Sequence, residues 1–354
     1  MNLAVRQGRV GANMKRREFM ALLGGAAATW PLATAAQTAM PVVGYIGSGL
    51  PDDQVSLVNA TRQGLKEAGY TEGRNFSMEF RWAEGHYDRL PALATELVKR
   101  QVALIIAAGG SDPGRAAKAA TSSIPIVFIT AADPVRTGLV SSLSRPEANV
   151  TGIGMIGSAL EAKRLELLHE LLPQASNIGV LINPNYPAAK LQMQEVQEAT
   201  ARLGVQAVVL NASTEAEIDA AFAAFVQQKV AAVLLANDPY FGSQREKLAA
   251  LATRHRLPAI SFRREFPEAG GLLSYGPLFA DGYREAGVYA GKILSGTKPA
   301  DLPVMQPTRF ELVVNLKAAK AIALSISESF LLRADEIMDC GNQPLGGIGQ
   351  AETG

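Results

Sequence analysis

Three histidines, His86, His169 and His255, and one cysteine, Cys340, are the chain's usual metal-ligand types. Their spacings match no zinc motif, so no metal site is expected. No Gly-x-Ser-x-Gly nucleophile elbow occurs, and Ser111 has no evident histidine partner. The run Gly152-Ile153-Gly154-Met155-Ile156-Gly157 fits the dinucleotide pattern Gly-x-Gly-x-x-Gly and opens a helix. A true fingerprint would follow the first strand of its domain and precede an acidic ribose ligand. Neither condition holds, so no cofactor and no catalytic residues are expected. Binding chemistry is better represented. Gly109-Gly110-Ser111 precedes a helix start at Asp112-Pro113. Free backbone N–H groups and the positive end of the helix dipole favour a carboxylate there. Asp112-Pro113, Asp133-Pro134 and Asp238-Pro239 each read as a helix N-cap followed by Pro at N1. Each aspartate could equally touch a ligand, and Asp238 is the best candidate to meet an ammonium.

These residues need a frame. Short apolar, β-rich runs recur at 42–46, 76–82, 102–107 and 126–130, then at 178–182, 205–210, 230–236 and 259–262. Runs such as Ala103-Leu104-Ile105-Ile106 suit strands buried on both faces. Amphipathic segments at about 54–68, 89–100, 159–171, 188–203, 215–228, 243–255 and 281–294 alternate with them. That order predicts parallel sheets with right-handed crossovers. Ligands of open parallel sheets sit beyond the carboxyl ends of the strands. Those ends supply Ser48, Gly110, Ser111, Thr130, Ala131, Ala132, Asn183, Asn237, Asp238 and Ser261. Among the aromatics, Tyr186, Phe241 and Tyr275 follow strand ends and are the favoured stacking platforms.

The two halves echo each other. A helix over 93–101 leads into Val102-Ala103-Leu104-Ile105-Ile106, and Phe222–Lys229 leads into Val230-Ala231-Ala232-Val233-Leu234. Each is followed by a helix and then by Ile124-Pro125-Ile126 or Leu257-Pro258-Ala259. The fold class expected is therefore α/β, with two Rossmann-like lobes. Ahead of them, Arg16-Arg17 precedes an apolar run to Leu32 and the small residues Ala33-Thr34-Ala35-Ala36. This order reads as a twin-arginine signal peptide over 1–36, with Met14 the better start and 1–13 an extension. The apolar run is shorter than the ~20 residues a spanning helix needs, so the working chain, ~315 residues, is expected outside the cytoplasm. Five basic residues and Glu18 fall in that segment, taking the net charge from +1 to −3 in the remainder. Such a balance excludes an electrostatic footprint for nucleic acid or an anionic membrane. The tail over 341–354, GNQPLGGIGQAETG, lacks apolar periodicity and is expected to be disordered.

The chain resembles the ABC transporter substrate-binding proteins of the tryptophan/tyrosine-binding type, a branch of the type I periplasmic binding proteins. The resemblance runs from about Pro41 to Met338. It rests on Val43-Gly44-Tyr45-Ile46-Gly47, Gly64-Leu65-Lys66-Glu67-Ala68-Gly69-Tyr70, Gly73-Arg74-Asn75 and Phe80-Arg81-Trp82-Ala83-Glu84-Gly85. It continues through Pro125–Phe128, Asp133-Pro134-Val135, Asn149–Gly152, Lys163–Leu168, Asn183-Pro184-Asn185 and Arg333–Glu336. The resemblance implies two lobes, closure on a small solute, and handover to a cognate ABC permease in the inner membrane. It implies a monomer in the periplasm that is not an enzyme. A ligand sensor for a membrane receptor and an exported enzyme on the same fold are the alternatives. It further implies a three-crossing hinge, near 151–157, 273–276 and 304–310. The lobes would then hold 41–152 with 277–304, and 155–273 with 306–338. The glycines at 152–157 would suit that hinge. Amino-acid-binding relatives use a Ser and the groups after the next strand, which implies Ser111, Thr130, Ala131 and Ala132 here.

Overall fold

The computed structural model describes residues 40–146, 148–155, 160–307 and 309–339. The signal segment over 1–36, the tail over 341–354, Gly157 and Cys340 lie outside the described residues. Twelve strands are described, arranged in two sheets. The first holds β1 (Val42–Gly47), β2 (Ser77–Trp82), β3 (Leu104–Ala108), β4 (Ile126–Thr130) and β5 (Val150–Gly154), in the spatial order β2-β1-β3-β4-β5. All its pairings are parallel. The second holds β6 (Asn177–Ile182), β7 (Gln206–Asn211), β8 (Val233–Leu235), β9 (Ala259–Ser261), β10 (Leu273–Pro277), β11 (Phe310–Asn315) and β12 (Glu336–Met338). Its order is β12-β11-β10-β9-β8-β6-β7.

Strand alternation divides the core. In β1, Val43 and Tyr45 pack with Leu65, Ala286 and Tyr289 on one face. Ile46 turns to the other face, against Leu93 and Leu97. The second sheet does the same. Val180 and Ile182 meet Val196 and Ala199 on one side, while Leu181 and Val233 meet Phe222 and Phe225 on the other. Removing each such side chain from water contributes about 1.5–3 kcal/mol. Sheets sandwiched in this way must be apolar on both faces, which is why β3 and β4 are buried throughout.

Helix Phe279–Leu294 follows β10 of the second sheet but packs on Val55–Glu67 in the first lobe. The chain thus passes from strand β10 to the first lobe by way of Leu278, next to the crossing expected near 273–276. The helices meet glycine to glycine. A Cβ on Gly64 would lie 1.8 Å from the Arg284 carbonyl oxygen, and one on Gly287 would lie 2.1 Å from that of Thr61. Met305 bridges to Ile153 before the chain re-enters the second sheet as β11.

One expectation is corrected here. The second sheet is not wholly parallel, because β10 and β11 run antiparallel, the pairing that lets consecutive crossings lie side by side. Gly152 lies inside β5 and Gly154 is its last residue, paired to Phe128 and Thr130 of β4.

Candidate functional site

The carboxyl ends of β1, β3 and β4 face those of β6, β8 and β9 across a cleft. In the first lobe, Gly110 takes φ 125°, a conformation that favours glycine, and turns the chain from β3 into helix Ser111–Ala120. Gly110, not Asp112, is the N-cap, and Asp112 faces Arg115 at 3.8 Å. Asp112 therefore does not cap, because the helix begins two residues earlier than its Asp-Pro pair suggests. Ser48 Oγ holds the loop by donating to the Gly109 carbonyl at 2.5 Å. Ser111 and Thr130 hydroxyls lie 2.8 Å apart, and Thr130 Oγ1 accepts from the Ala132 N–H at 3.1 Å. Asp133 caps the next turn, accepting from Val135 N–H at 2.8 Å.

In the second lobe Asn237 is clamped through its backbone. Its N–H donates to Glu161 Oε1 at 2.9 Å, and its carbonyl accepts from Gln192 Nε2 at 2.6 Å. Glu161 pairs with Arg164 at 3.0 Å, both fully buried, and Arg164 Nε donates to the Tyr275 carbonyl at 2.8 Å. Burial pushes the Glu161 carboxyl up, and Arg164 opposes that shift. This chain of contacts ties strand β10, beside the return to the first lobe, to the cleft wall. The Asn237 side chain is buried, and its Nδ2 has no hydrogen-bond partner among the described residues.

Asp238 caps helix Pro239–Ser243 by accepting from Phe241 N–H at 3.2 Å. It also accepts from Asn183 Nδ2 at 3.3 Å and, across the cleft, from the Tyr87 hydroxyl at 3.1 Å. Burial raises the Asp238 carboxyl to about 6 against the pull of these donors. Two further polar contacts cross between the lobes. Arg245 reaches Asp53 at 2.8 Å, and Arg136 lies 3.7 Å from Glu195.

Between the lobes lies a tight cavity of about 30 Å³, room for about one water and well below the span usual for small-molecule sites. Of the expected residues, Gly110, Thr130, Ala131, Tyr186 and Asn237 line it. Ser111 lines a neighbouring pocket of the cleft, with Arg115, Arg136 and Lys190. Ser48, Ala132, Asn183 and Asp238 stand behind the lining and hold it, Ser261 ends β9 outside the lining, and Tyr275 stacks on Phe310 at 6.4 Å. Phe241 belongs to the core with Phe266. Residues that the sequence reading missed include Gln54, Met155, Phe262, Arg263, Phe279 and Tyr283. Phe262 and Arg263 directly follow β9, so the strand-end rule reaches them one and two residues past Ser261. Glu161 and Arg164 carry the helical i,i+3 spacing of an ion pair. Their burial was not readable, because such pairs normally lie on a helix surface.

Among the described residues, no group of three or more His, Cys, Asp or Glu side chains could hold a metal ion. The arrangement is a tight, mostly apolar space between the lobes with a few fixed donors.

The comparisons point the same way. A curated tyrosine-binding protein from Clostridioides difficile (strain R20291) is 28% identical over 275 residues, covering 77% of this chain and 79% of the relative. A crystal structure of a conserved domain protein from Vibrio cholerae matches with a TM-score of 0.77 and 26% identity, over 84% of this chain and 99% of that one. An ABC domain from Streptococcus pneumonia, solved in complex with L-Trp, matches with a TM-score of 0.74 and 23% identity over the same shares. Its likeness shows the fold, that of type I periplasmic binding proteins. The model of the family described as ABC transporter substrate binding protein matches residues 52–338. That span takes in the second lobe, the first lobe apart from β1, and every lining residue of the cavity, and the chain belongs to this family.

Proposed function

We propose that this chain is the periplasmic solute-binding component of an ABC importer, and that it takes up an amino acid or a related small carboxylate between its lobes. The observation that carries the reading is the inter-lobe chamber. Its first wall is the N-terminal end of helix Ser111–Ala120, and its second holds the buried, unpartnered Asn237 Nδ2. A carboxylate suits both, since the helix end offers N–H groups and a positive partial charge. Lobe closure then delivers the loaded form to a permease, and no catalytic step is involved. The tyrosine-binding relative supports an amino-acid-like solute.

The reading is tested by a thermal-shift screen of the chain from Gln37 onward against small solutes. A ligand present at 100 times its Kd stabilises the folded state by about 2.7 kcal/mol. A clear rise in melting temperature with small carboxylates is expected, and flat curves across amino acids, organic acids, sugars and polyols would overturn the reading. Export follows from the twin-arginine pair. Replacing Arg16 and Arg17 with Lys is expected to leave precursor in the cytoplasm, and normal periplasmic accumulation would contradict the route.

A further inference from the structure

The cavity between the lobes, at about 30 Å³, is too small for an amino acid. Beside it lies a pocket of about 320 Å³, inside the span usual for small-molecule sites. Both lobes line that pocket, through Ser111, Arg115 and Arg136 on one side and Pro187, Lys190 and Gln194 on the other. The two spaces abut at the start of helix Ser111–Ala120, since Gly110 lines the first and Ser111 the second. Among the described residues, Tyr186 alone lines both.

Tyr186 is held by its backbone. Its N–H donates to the Asn183 carbonyl at 3.1 Å, and its carbonyl accepts from Ala189 N–H at 2.8 Å. The ring is buried, 6.1 Å from the ring of Tyr87. A Cβ on Gly110 would lie 3.7 Å from the Tyr186 hydroxyl oxygen, so the ring tip rests against the helix start. Yet that hydroxyl makes no hydrogen bond among the described residues. Burial, and then Asp238, Asp112 and Glu161, push its pKa up and keep it neutral. Asp112 faces Arg115 and Glu161 pairs with Arg164, whereas Asp238 meets only the neutral donors Tyr87, Asn183 and Phe241 N–H. The ring tip thus stands between the N–H groups of a helix start, which favour a carboxylate, and a buried carboxylate without a counter-charge, which favours an ammonium. Asn237 Nδ2, also buried and without a partner among the described residues, adds a donor to the same space. These surroundings suit the zwitterionic head of an α-amino acid, and a neutral hydroxyl fills them.

We propose that Tyr186 is a side-chain plug. Its ring fills the place of an α-amino acid's head group and swings aside as the solute enters, joining the two spaces into one site. The inference rests on the solute-binding reading above and adds the residue that sets the size of the site. A ring that must stand aside lowers apparent affinity by the fraction of time it does so.

Calorimetry on the chain from Gln37 onward tests this, with L-tyrosine and L-tryptophan as probes. Tyr186→Ala opens the partition permanently. It is expected to bind the better probe about tenfold tighter than wild type, the gain for a ring that stands aside about a tenth of the time. Tyr186→Leu, which keeps more of the packing, should move the same way by less. Tyr186→Phe keeps the ring and should bind as wild type does. Melting curves without probe confirm that each variant is folded, and Tyr186→Leu carries the test if Tyr186→Ala is not. Binding that appears only in the shortened variants would also support the plug. Equal or weaker binding by the folded shortened variants would make the ring an ordinary wall, overturning the plug and leaving the solute-binding reading standing. Binding of neither probe by wild type or variants at millimolar concentration would overturn it too, and the thermal-shift screen of small solutes then decides the general reading separately.

Discussion

The carboxylate of Asp238 accepts from Tyr87 of the first lobe while it caps helix Pro239–Ser243 in the second. Its folded value of about 6 lies above the ordinary carboxylate value of about 3.9. Between those values the folded chain holds a proton that the unfolded chain has released. The group's contribution to stability is therefore full below about pH 4 and is lost as pH rises through 6. Asn at this position can keep the geometry, since Oδ1 can still accept from Phe241 N–H and Asn183, and Nδ2 can donate to the Tyr87 hydroxyl. Asp238→Asn is expected to raise stability at pH 7.5 by about 2 kcal/mol, the scale of a shift of one to two pKa units, with the gap closing towards pH 4.5. Melting curves at both pH values check this, and a gap that widened in acid would contradict it. The three Asp-Pro pairs were visible in the sequence as one pattern. Their fates differ because each cap depends on where the preceding turn ends. Gly110 takes the cap from Asp112, Asp133 closes a turn that does not continue into a helix, and Asp238 keeps its cap. The lining residues Asn237 and Arg263 differ in legibility for a similar reason. Asn237 ends a strand, but Arg263 lies beyond β9 and reaches the chamber only through the path of the following turn.

At the scale of elements, the helix pair Val55–Glu67 and Phe279–Leu294 fixes the return of the chain to the first lobe. Its close approach depends on Gly64 and Gly287. Gly287→Val would place a Cβ 2.1 Å from the Thr61 carbonyl oxygen, so the helices must part. A loss of about 3 kcal/mol or more is expected, at the upper end of overpacking effects because backbone cannot move aside as a side chain can. Urea unfolding measures it, and an unchanged midpoint would contradict the packing. The core strands β1, β3 and β4 were legible because burial on both faces leaves unbroken apolar runs. Strands β10, β11 and β12 were not. Leu273–Pro277 carries Ser, Tyr, Gly and Pro, and β12 has only three residues, Glu336-Ile337-Met338. Their strand character comes from pairing with neighbours in the second sheet, not from their own pattern.

For the whole molecule, the two lobes close on each other through few contacts. Tyr87–Asp238, Asp53–Arg245 and Arg136–Glu195 span the cleft at its polar margins. Glu195 is pushed up to about 7, first by burial and then by Glu161, with Arg136 opposing. Contacts that exist only between closed lobes contribute to ligand affinity and little to the fold of either lobe. Tyr87→Phe removes one hydrogen bond to a charged group and is expected to weaken binding of the best solute by about 1–2 kcal/mol, with each lobe's structure retained. Calorimetry checks the affinity, and an unaltered Kd would show that this bond plays no part in closure. Two lobes could be anticipated from the repeated strand-helix order. How they meet could not, since it depends on residues distant in sequence, such as Tyr87 and Asp238. The account's central claim is that the lobes close over a small carboxylate solute. Small-angle scattering of the chain from Gln37 onward, titrated with the solute that binds best, tests it most directly. The radius of gyration should fall along the same saturation curve as the binding isotherm. A radius that stays constant at full occupancy would contradict closure over the solute.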